Sequence, residues 1–524
     1  MFIICYFFFT LFAYFLFKME LNRQIYKGCF FMRRFILLLT GFTFIMILGA
    51  CSTDFGNMKQ SSMMNSSNNQ SGNRVPMMMG HGNNGRTLQD STGENELNIP
   101  ALLPSDKVEG NDIYYTIEAQ KGKTEVFNGI QTNTLGYNSA FLGPVIKLKK
   151  GQTAHFKLIN SLDEETTFHW HGLIIGGEAD GGPHDVIKPG EEKEITFNVQ
   201  QDNATLWFHP HPIGKTAKQV FEGLAGLIYI EENEENDYEY GVNDFPLIFQ
   251  DRTFNNEKQL DYQLAQHPDG QMGETLLING TLNPSLTVKR EQVRLRLLNG
   301  SNKRNYTFKL NNDQAFHQIA SDGGLLNEPI EMTELKLTPS ERAEIIVDFS
   351  KIKENENVQL MNDDGTVLLP FQVEGKKKEA INKKVEALNP VTISDEEMNM
   401  NVSKEVVLSG HGHHVSINGK KFDPDRIDLT QKEGETEVWE IYNKPDMMGG
   451  MIHPFHIHGT QFKVISINGE TPPKQLQGYK DTIELEPGDR AKIAVKFEET
   501  GIYMYHCHIL EHEENGMMGQ IKVE

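Results

Sequence analysis

The sequence predicts an all-β fold of three similar β-sandwiches, on the strength of two repeated motifs and one absence. The first motif reads "IKPGEEKEITFNVQ" at 187–200, "LTPSERAEIIVDFS" at 337–350 and "LEPGDRAKIAVKFE" at 485–498, spacings of 150 and 148 residues. Each copy opens on a Pro-Gly or Pro-Ser turn and continues with alternating apolar residues, the period-two signature of a half-buried strand. The second motif precedes it each time: "VIKLKKGQTAHFKLIN" at 145–160, "SLTVKREQVRLRLLN" at 285–299 and "RIDLTQKEGETEVWEIYN" at 426–443. No long helical pattern lies between them. One recurring motif is unremarkable, whereas two in the same order three times mark a tandem of like domains.

In chain order, residues 1–51 read as an export leader. From Met32 the chain runs "MRRFILLLTGFTFIMILGACS": two arginines, an apolar run from Phe35 to Leu48, then small residues before Cys51, the plan of a signal segment. Leu-Gly-Ala-Cys is similar to the lipobox of bacterial lipoproteins, which implies an exported protein held at the membrane surface through lipidated Cys51. An uncleaved apolar anchor gives the same address. The upstream run at 2–17, "FIICYFFFTLFAYFLF", fits a short transmembrane helix or sequence ahead of a true start at Met32. Residues 52–104 read as a flexible tether, since the Asn-, Ser- and Gly-rich stretch through 98 cannot bury a core. It carries Met58, Met63, Met64, Met77, Met78 and Met79. Soft thioethers select Cu(I), so a copper-scavenging tail stands beside simple compositional drift. The three sandwiches then occupy 105–235, 236–378 and 379–524.

A hydrophobic fraction of 38% gives ample core, and a formal charge of −22 argues against a nucleic-acid partner and for cationic or neutral ones. Three of the four cysteines fall within the first 51 residues, which leaves Cys507 alone in the body and excludes a disulfide framework there.

Histidines decorate the first and third repeats only. "FHWHG" (168–172) matches "FHIHG" (455–459), and "LWFHPHP" (206–212) matches "YMYHCHILEH" (503–512); the middle repeat has "YTFKL" (306–310) and "VQLMNDD" (358–364) instead. His-x-His on a strand sends both imidazoles to one face. The pairs His169/His171, His209/His211, His456/His458 and His506/His508 therefore predict eight converging imidazoles, a set suited to copper, zinc, iron or nickel. Cys507 points away from the face of His506 and His508 and so belongs to a second site, with His453, His512 and Met517 in reach. Two histidines, a thiolate and a weak thioether select copper, whereas zinc takes four strong ligands.

These motifs together, "HWHG" (169–172), "HPH" (209–211), "HPFHIHG" (453–459) and "HCHILEHEENGM" (506–517), closely resemble those of the three-domain multicopper oxidases over about 105–524. The resemblance implies cupredoxin-like Greek-key sandwiches and four copper ions. It places a type 1 copper on His453, Cys507, His512 and Met517, and a type 2 copper on His169 and His456. A type 3 pair falls to His171, His209, His211, His458, His506 and His508. Asp180 and Glu513 match the family's proton-relay carboxylates, and reduction of O2 to water consumes four protons. Electrons from substrate would pass through Cys507 to a cluster shared by the outer domains, with the middle domain a spacer.

The substrate reading rests on finer resemblance. "DGGPH", "MIHPFHIHGTQFKV" and "HCHILEHEENGMM" look most like the bacterial cuprous oxidases that protect against copper. Asp446, Met447, Met448 and Met451, just ahead of His453, could dock Cu(I). One departure counts the other way. The long Met/His-rich insertion of the Gram-negative enzymes is reduced here to Met398, Met400 and "HGHH" at 411–414. A more open site favours phenols or bilirubin-like reductants, as in bacterial laccases. A non-catalytic copper-binding cupredoxin is the third reading. The expected partners are O2 and Cu(I) or a phenol, and the chain is expected to act as a monomer.

Overall fold

A computed structural model describes residues 87–231, 238–353, 356–376, 393–447 and 449–524. The leader with Cys51, the six tether methionines and Met448 lie outside the described residues. Among the described residues no helix is long and apolar enough to cross a membrane.

The repeated motifs become the same three-strand unit three times. Strand Thr153–Asn160 pairs antiparallel with Glu192–Asn198, Gln292–Asn299 with Arg342–Asp348, and Thr436–Lys444 with Arg490–Lys496. On its other edge each central strand takes a parallel neighbour: Asp112–Phe127, Asp244–Arg252 and Val402–Ser409. The alternation seen in the sequence is the alternation of burial. Along Thr153–Asn160 every second side chain is buried, and these feed the first core with Ala154, Phe156 and Leu158.

The second sheet of each sandwich carries the histidine motifs or their counterparts. In the third it runs Leu429–Gln431, Met518–Val523, Gly501–Cys507, His453–Ile457, Thr482–Leu485. In the middle sandwich Pro284–Lys289, Val367–Glu374, Val358–Met361, Tyr306–Leu310 and Glu334–Leu337 repeat that order. In the first, three strands form among the described residues, Ile146–Leu148, Gly226–Ile230 and Ala204–Phe208, and the fourth position shrinks to a bridge between His169 and His209.

Residues 87–104, expected as the end of a flexible tether, form a strap instead. Asn95–Glu96 adds a parallel strand to Pro284–Lys289 of the middle sandwich. Leu88 and Leu97 are buried in that sandwich's core. Two leucines spaced nine apart in polar sequence give no periodic signal, and their burial is decided by a sheet edge nearly 200 residues away.

Charge, rather than apolar surface alone, fixes how the sandwiches meet. Arg296 of the middle sandwich bonds Asp244 (2.9 Å) and Glu344 (3.1 Å), and reaches Thr205 (2.9 Å) and Glu231 of the first. Lys480 of the third sandwich pairs with Asp322 (2.8 Å) and Glu341 (2.7 Å) of the middle one. Buried pairs of this kind add little net stability but penalise any other docking register.

Candidate metal centre

The histidine motifs meet where the second sheets of the first and third sandwiches face each other. In the third, Phe455 pairs with Cys507 and His456 with His506; in the first, His169 bridges His209. The counterpart strands of the middle sandwich pair Lys309 with Met361 and Leu310 with Leu360, so that domain brings no imidazole. Strand alternation explains only half of each pair. His171, His211, His458 and His508 all lie just past a strand or bridge, where a turn rather than the pleat aims the ring. Gly172 (φ 89°) and Gly459 (φ 68°) supply left-handed positions next to two of them.

All eight rings are fully buried. His169 stacks on His458 with centroids 3.7 Å apart, and His171 on His456 at 3.8 Å. Each stack pairs one ring from the first sandwich with one from the third. His211 Nε2 lies 3.2 Å from His506 Nε2, and His458 Nε2 lies 3.0 Å from the same atom.

The outer nitrogens show which atoms are left for a ligand. Nδ1 of His169, His209, His456 and His506 each faces a backbone carbonyl, of Asp180 (3.0 Å), Pro210 (2.9 Å), Asp481 (2.8 Å) and Cys507 (3.1 Å). His458 Nδ1 faces the Asp180 carboxylate at 2.8 Å. Facing an acceptor, Nδ1 keeps the proton, and Nε2 presents its lone pair inward. His171 is turned the other way: Nε2 donates to Asp481 (3.0 Å), while Nδ1 faces His209 Nε2 at 3.4 Å.

Burial pushes His171, His209, His211, His456, His458 and His508 well below the ordinary imidazole range, and neighbouring imidazoles add to it. Burial likewise takes His506 down to about 3. Neutral rings with lone pairs about 3 Å apart repel unless a cation lies between them. Among the described residues, His169 Nε2, His456 Nε2 and both nitrogens of His508 have no hydrogen-bond partner. Three groups of these histidines bring their ligand atoms within 4.8 Å of one another. The donor set fits metal ions that favour imidazole.

Asp180 and Glu513 both touch this cluster. Asp180 receives His458 and lies 3.5 Å from His169 Nδ1. Glu513 sits 3.5 Å from His211 Nδ1 and 3.4 Å from His506 Nδ1. Burial, reinforced by Glu514 beside it, holds its carboxyl well above the usual range.

Cys507 opens a second site on the far side of its strand. Its Sγ lies 3.6 Å from His512 Nδ1, and the His453 and His512 rings are 5.2 Å apart. Among the described residues His453 Nε2 has no hydrogen-bond partner, while its Nδ1 is held by Asn443 at 2.9 Å. Met517 is wholly buried in the same core as Cys507. Burial pushes the Cys507 thiol far up, so the thiolate requires a bound cation. Thiolate, two imidazoles and a thioether are a copper donor set.

Comparison with known proteins agrees with that chemistry. Three multicopper oxidase family models match residues 118–235, 229–363 and 389–524. A multicopper oxidase of Staphylococcus epidermidis is 53% identical over 463 residues, 88% of this chain and 100% of that protein. The chain belongs to the multicopper oxidase family. It is a copper oxidoreductase that uses O2 and a reducing substrate. Its fold is the cupredoxin-like one: the crystal structure of a laccase from Pediococcus acidilactici superposes with a TM-score of 0.79 at 45% identity, covering 84% of this chain and 96% of that one. A more distant relative, the cell division protein FtsP of Xenorhabdus nematophila, is 32% identical over 454 residues, 82% of this chain and 92% of its own.

The expected substrate residues of this oxidase come together only in part. Asp446 lies 3.7 Å from His411 Nε2, and Met447 is fully exposed beside it. Met451 is half-buried against the third core, its carbonyl taken by Asn443. Sequence reasoning missed Asp269. This residue from the middle sandwich's 253–273 loop faces His512 Nε2 at 3.7 Å and His411 Nδ1 at 4.0 Å. His512 beside it holds the Asp269 carboxyl down at about 2. It missed Asp481 and Arg342 too, since neither stands in a motif with a histidine. The "HGHH" run and Asp446 were both visible in the sequence, but the placing of His411 between Asp446 and Asp269 was not.

Proposed function

We propose that this oxidase takes electrons one at a time from Cu(I) and uses them to reduce O2 to water, with four copper ions held as the resemblance implies. His453, Cys507, His512 and Met517 hold the type 1 ion, His169 and His456 the type 2 ion. His171, His209, His211, His458, His506 and His508 hold the type 3 pair. Copper at these positions supplies one-electron redox chemistry and the reduction of O2. The chain supplies the connection: Cys507 stands between His506 and His508, so adjacent peptides join the thiolate to imidazoles of the cluster. Glu513 and Asp180, touching imidazoles from both outer sandwiches, deliver protons.

The observation that carries the Cu(I) reading is the acidic frame at the edge of His512. Asp269 and Asp446 flank His411 there, and the exposed thioether of Met447 adds a soft donor. A carboxylate held at about 2 is anionic at any working pH and favours a cation at that edge. The test compares kcat/KM for Cu(I) and for a phenol in Asp269→Asn. A loss confined to Cu(I) supports the reading, and equal losses on both remove it.

A laccase-like oxidation of phenols is the second reading. The solved structure named a laccase supports it. Against a non-catalytic copper-binding role stands the donor set, in which every ligand position is intact. We further propose an exported monomer anchored through lipidated Cys51, resting on Leu-Gly-Ala-Cys at 48–51. Incorporation of labelled fatty acid that is lost in Cys51→Ala would support the lipid anchor, and a wild-type chain that takes up no label would remove it.

A further inference from the structure

We infer that Arg342 of the middle sandwich is a positioning residue for the histidine cluster. It acts through Asp481, which holds one imidazole from each outer sandwich. The inference rests on the reading that these histidines bind copper. It assigns the middle domain, which supplies no ligand, a part in the geometry of the site.

Asp481 has two grips. Its carboxylate Oδ1 accepts from His171 Nε2 at 3.0 Å, and its backbone carbonyl accepts from His456 Nδ1 at 2.8 Å. Those two rings form the tighter-aligned stack, with 9° between their planes. His171 is also the reversed ring, inward by Nδ1. Its orientation therefore depends on a side-chain carboxylate, where four other rings lean on backbone carbonyls.

That carboxylate is set by Arg342. The guanidinium forks onto it, NH1 to Oδ1 at 2.8 Å and NH2 to Oδ2 at 2.6 Å, the bidentate geometry that fixes a carboxylate plane. The other three donations go to carbonyls: Nε to Thr205 of the first sandwich, NH1 to Ser340 and NH2 to Asp322 of the middle. All five N–H donors are used, and the side chain is wholly buried. Thr482 completes the frame, donating to Asp481 Oδ1 at 3.0 Å and meeting Ser340 Oγ at 2.9 Å. One arginine thus ties all three sandwiches at the atom that orients His171.

The glycine of "HWHG" records the same contact. A Cβ on Gly172 would lie 2.6 Å from both Arg342 NH2 and Asp481 Oδ2. The fork packs directly against the backbone of the residue that follows His171. Simple docking is served by a neighbouring group, Lys480 with Asp322 and Glu341, which bonds no cluster histidine.

The test uses the copper-loaded full chain and three variants: Arg342→Lys, Asp481→Asn and Lys480→Met. Copper retention is titrated against a competing chelator, with type 2 EPR, blue absorption and a thermal melt recorded on each. Arg342→Lys keeps the charge and loses the fork; Asp481→Asn keeps the backbone grip and loses the anionic one. The expected result for both is about 10- to 100-fold weaker retention of cluster copper, the usual scale for a residue that orients a ligand. An altered EPR spectrum of the cluster copper and unchanged blue absorption should accompany it. Lys480→Met should lower the melting temperature and leave cluster copper in place. Wild-type retention in a folded Asp481→Asn overturns the inference. So does blue absorption falling in step with cluster copper, or an equal loss in Lys480→Met. A wild-type chain that holds no copper in the cluster would instead fail the reading beneath it.

Discussion

The Asp180 carboxylate receives the Nδ1 proton of His458 at 2.8 Å, across the seam between the first and third sandwiches and 278 positions along the chain. Its backbone carbonyl holds His169, whose ring stacks on that same His458. Asp180→Asn keeps the carbonyl and the volume and weakens the carboxylate's grip on His458. It should cut retention of cluster copper by about 10-fold while the melting temperature of the metal-free chain stays near wild type. Chelator titration beside a thermal melt checks both.

Gly172 has no room for a side chain. With φ at 89° and a Cβ aimed at Arg342 and Asp481, Gly172→Ala combines backbone strain with a clash in a wholly buried group. A cost of about 2–4 kcal/mol is expected. Urea unfolding of the metal-free protein measures it. Gly110, where a Cβ meets nothing within 4 Å, is the control and should show only the cost of a left-handed alanine.

Met447 and Met451 should part company. Met447→Leu alters a fully exposed thioether beside Asp446 and should lower kcat/KM for Cu(I) while sparing phenols. Met451→Leu changes a half-buried contact with the third core at nearly constant volume. It should cost under about 1.5 kcal/mol and leave Cu(I) kinetics alone. Steady-state kinetics on the two single variants separates them.

The charge on Asp269 should tolerate acid. A carboxylate depressed to about 2 stays anionic until pH falls toward that value, well below the ordinary carboxylate value of about 3.9. Protonation of Asp269 should therefore add nothing to KM for Cu(I) between about pH 7 and pH 4, and any rise in that window should come from other groups of the frame. Asp269→Asn should raise KM throughout the window. Salt should raise KM as well, because a chain of charge −22 attracts a cation through an ionic atmosphere.

What could be read from sequence follows how local each signal is. The strand repeats, the four His-x-His pairs and Cys507 with His512 and Met517 are short-range patterns, and the structure assembles them as three like sandwiches and two donor clusters. The pleat argument overreached for His171, His211, His458 and His508, which lie past strand ends and are aimed by turns. Arg342, Asp481 and Asp269 were invisible because their partners lie 139, 310 and 243 positions away and no spacing rule links them. The strap at 87–104 was missed for the same reason: a polar stretch became ordered by a distant sheet edge.

The most direct measurement of the central claim is the stoichiometry of O2 against Cu(I) in the copper-loaded chain, with peroxide assayed in parallel and Cys507→Ser as the blank. One O2 consumed for every four Cu(I) oxidised, no peroxide, and no turnover in Cys507→Ser is the predicted result. One O2 for every two Cu(I) with peroxide released, or uptake that survives Cys507→Ser, would contradict it.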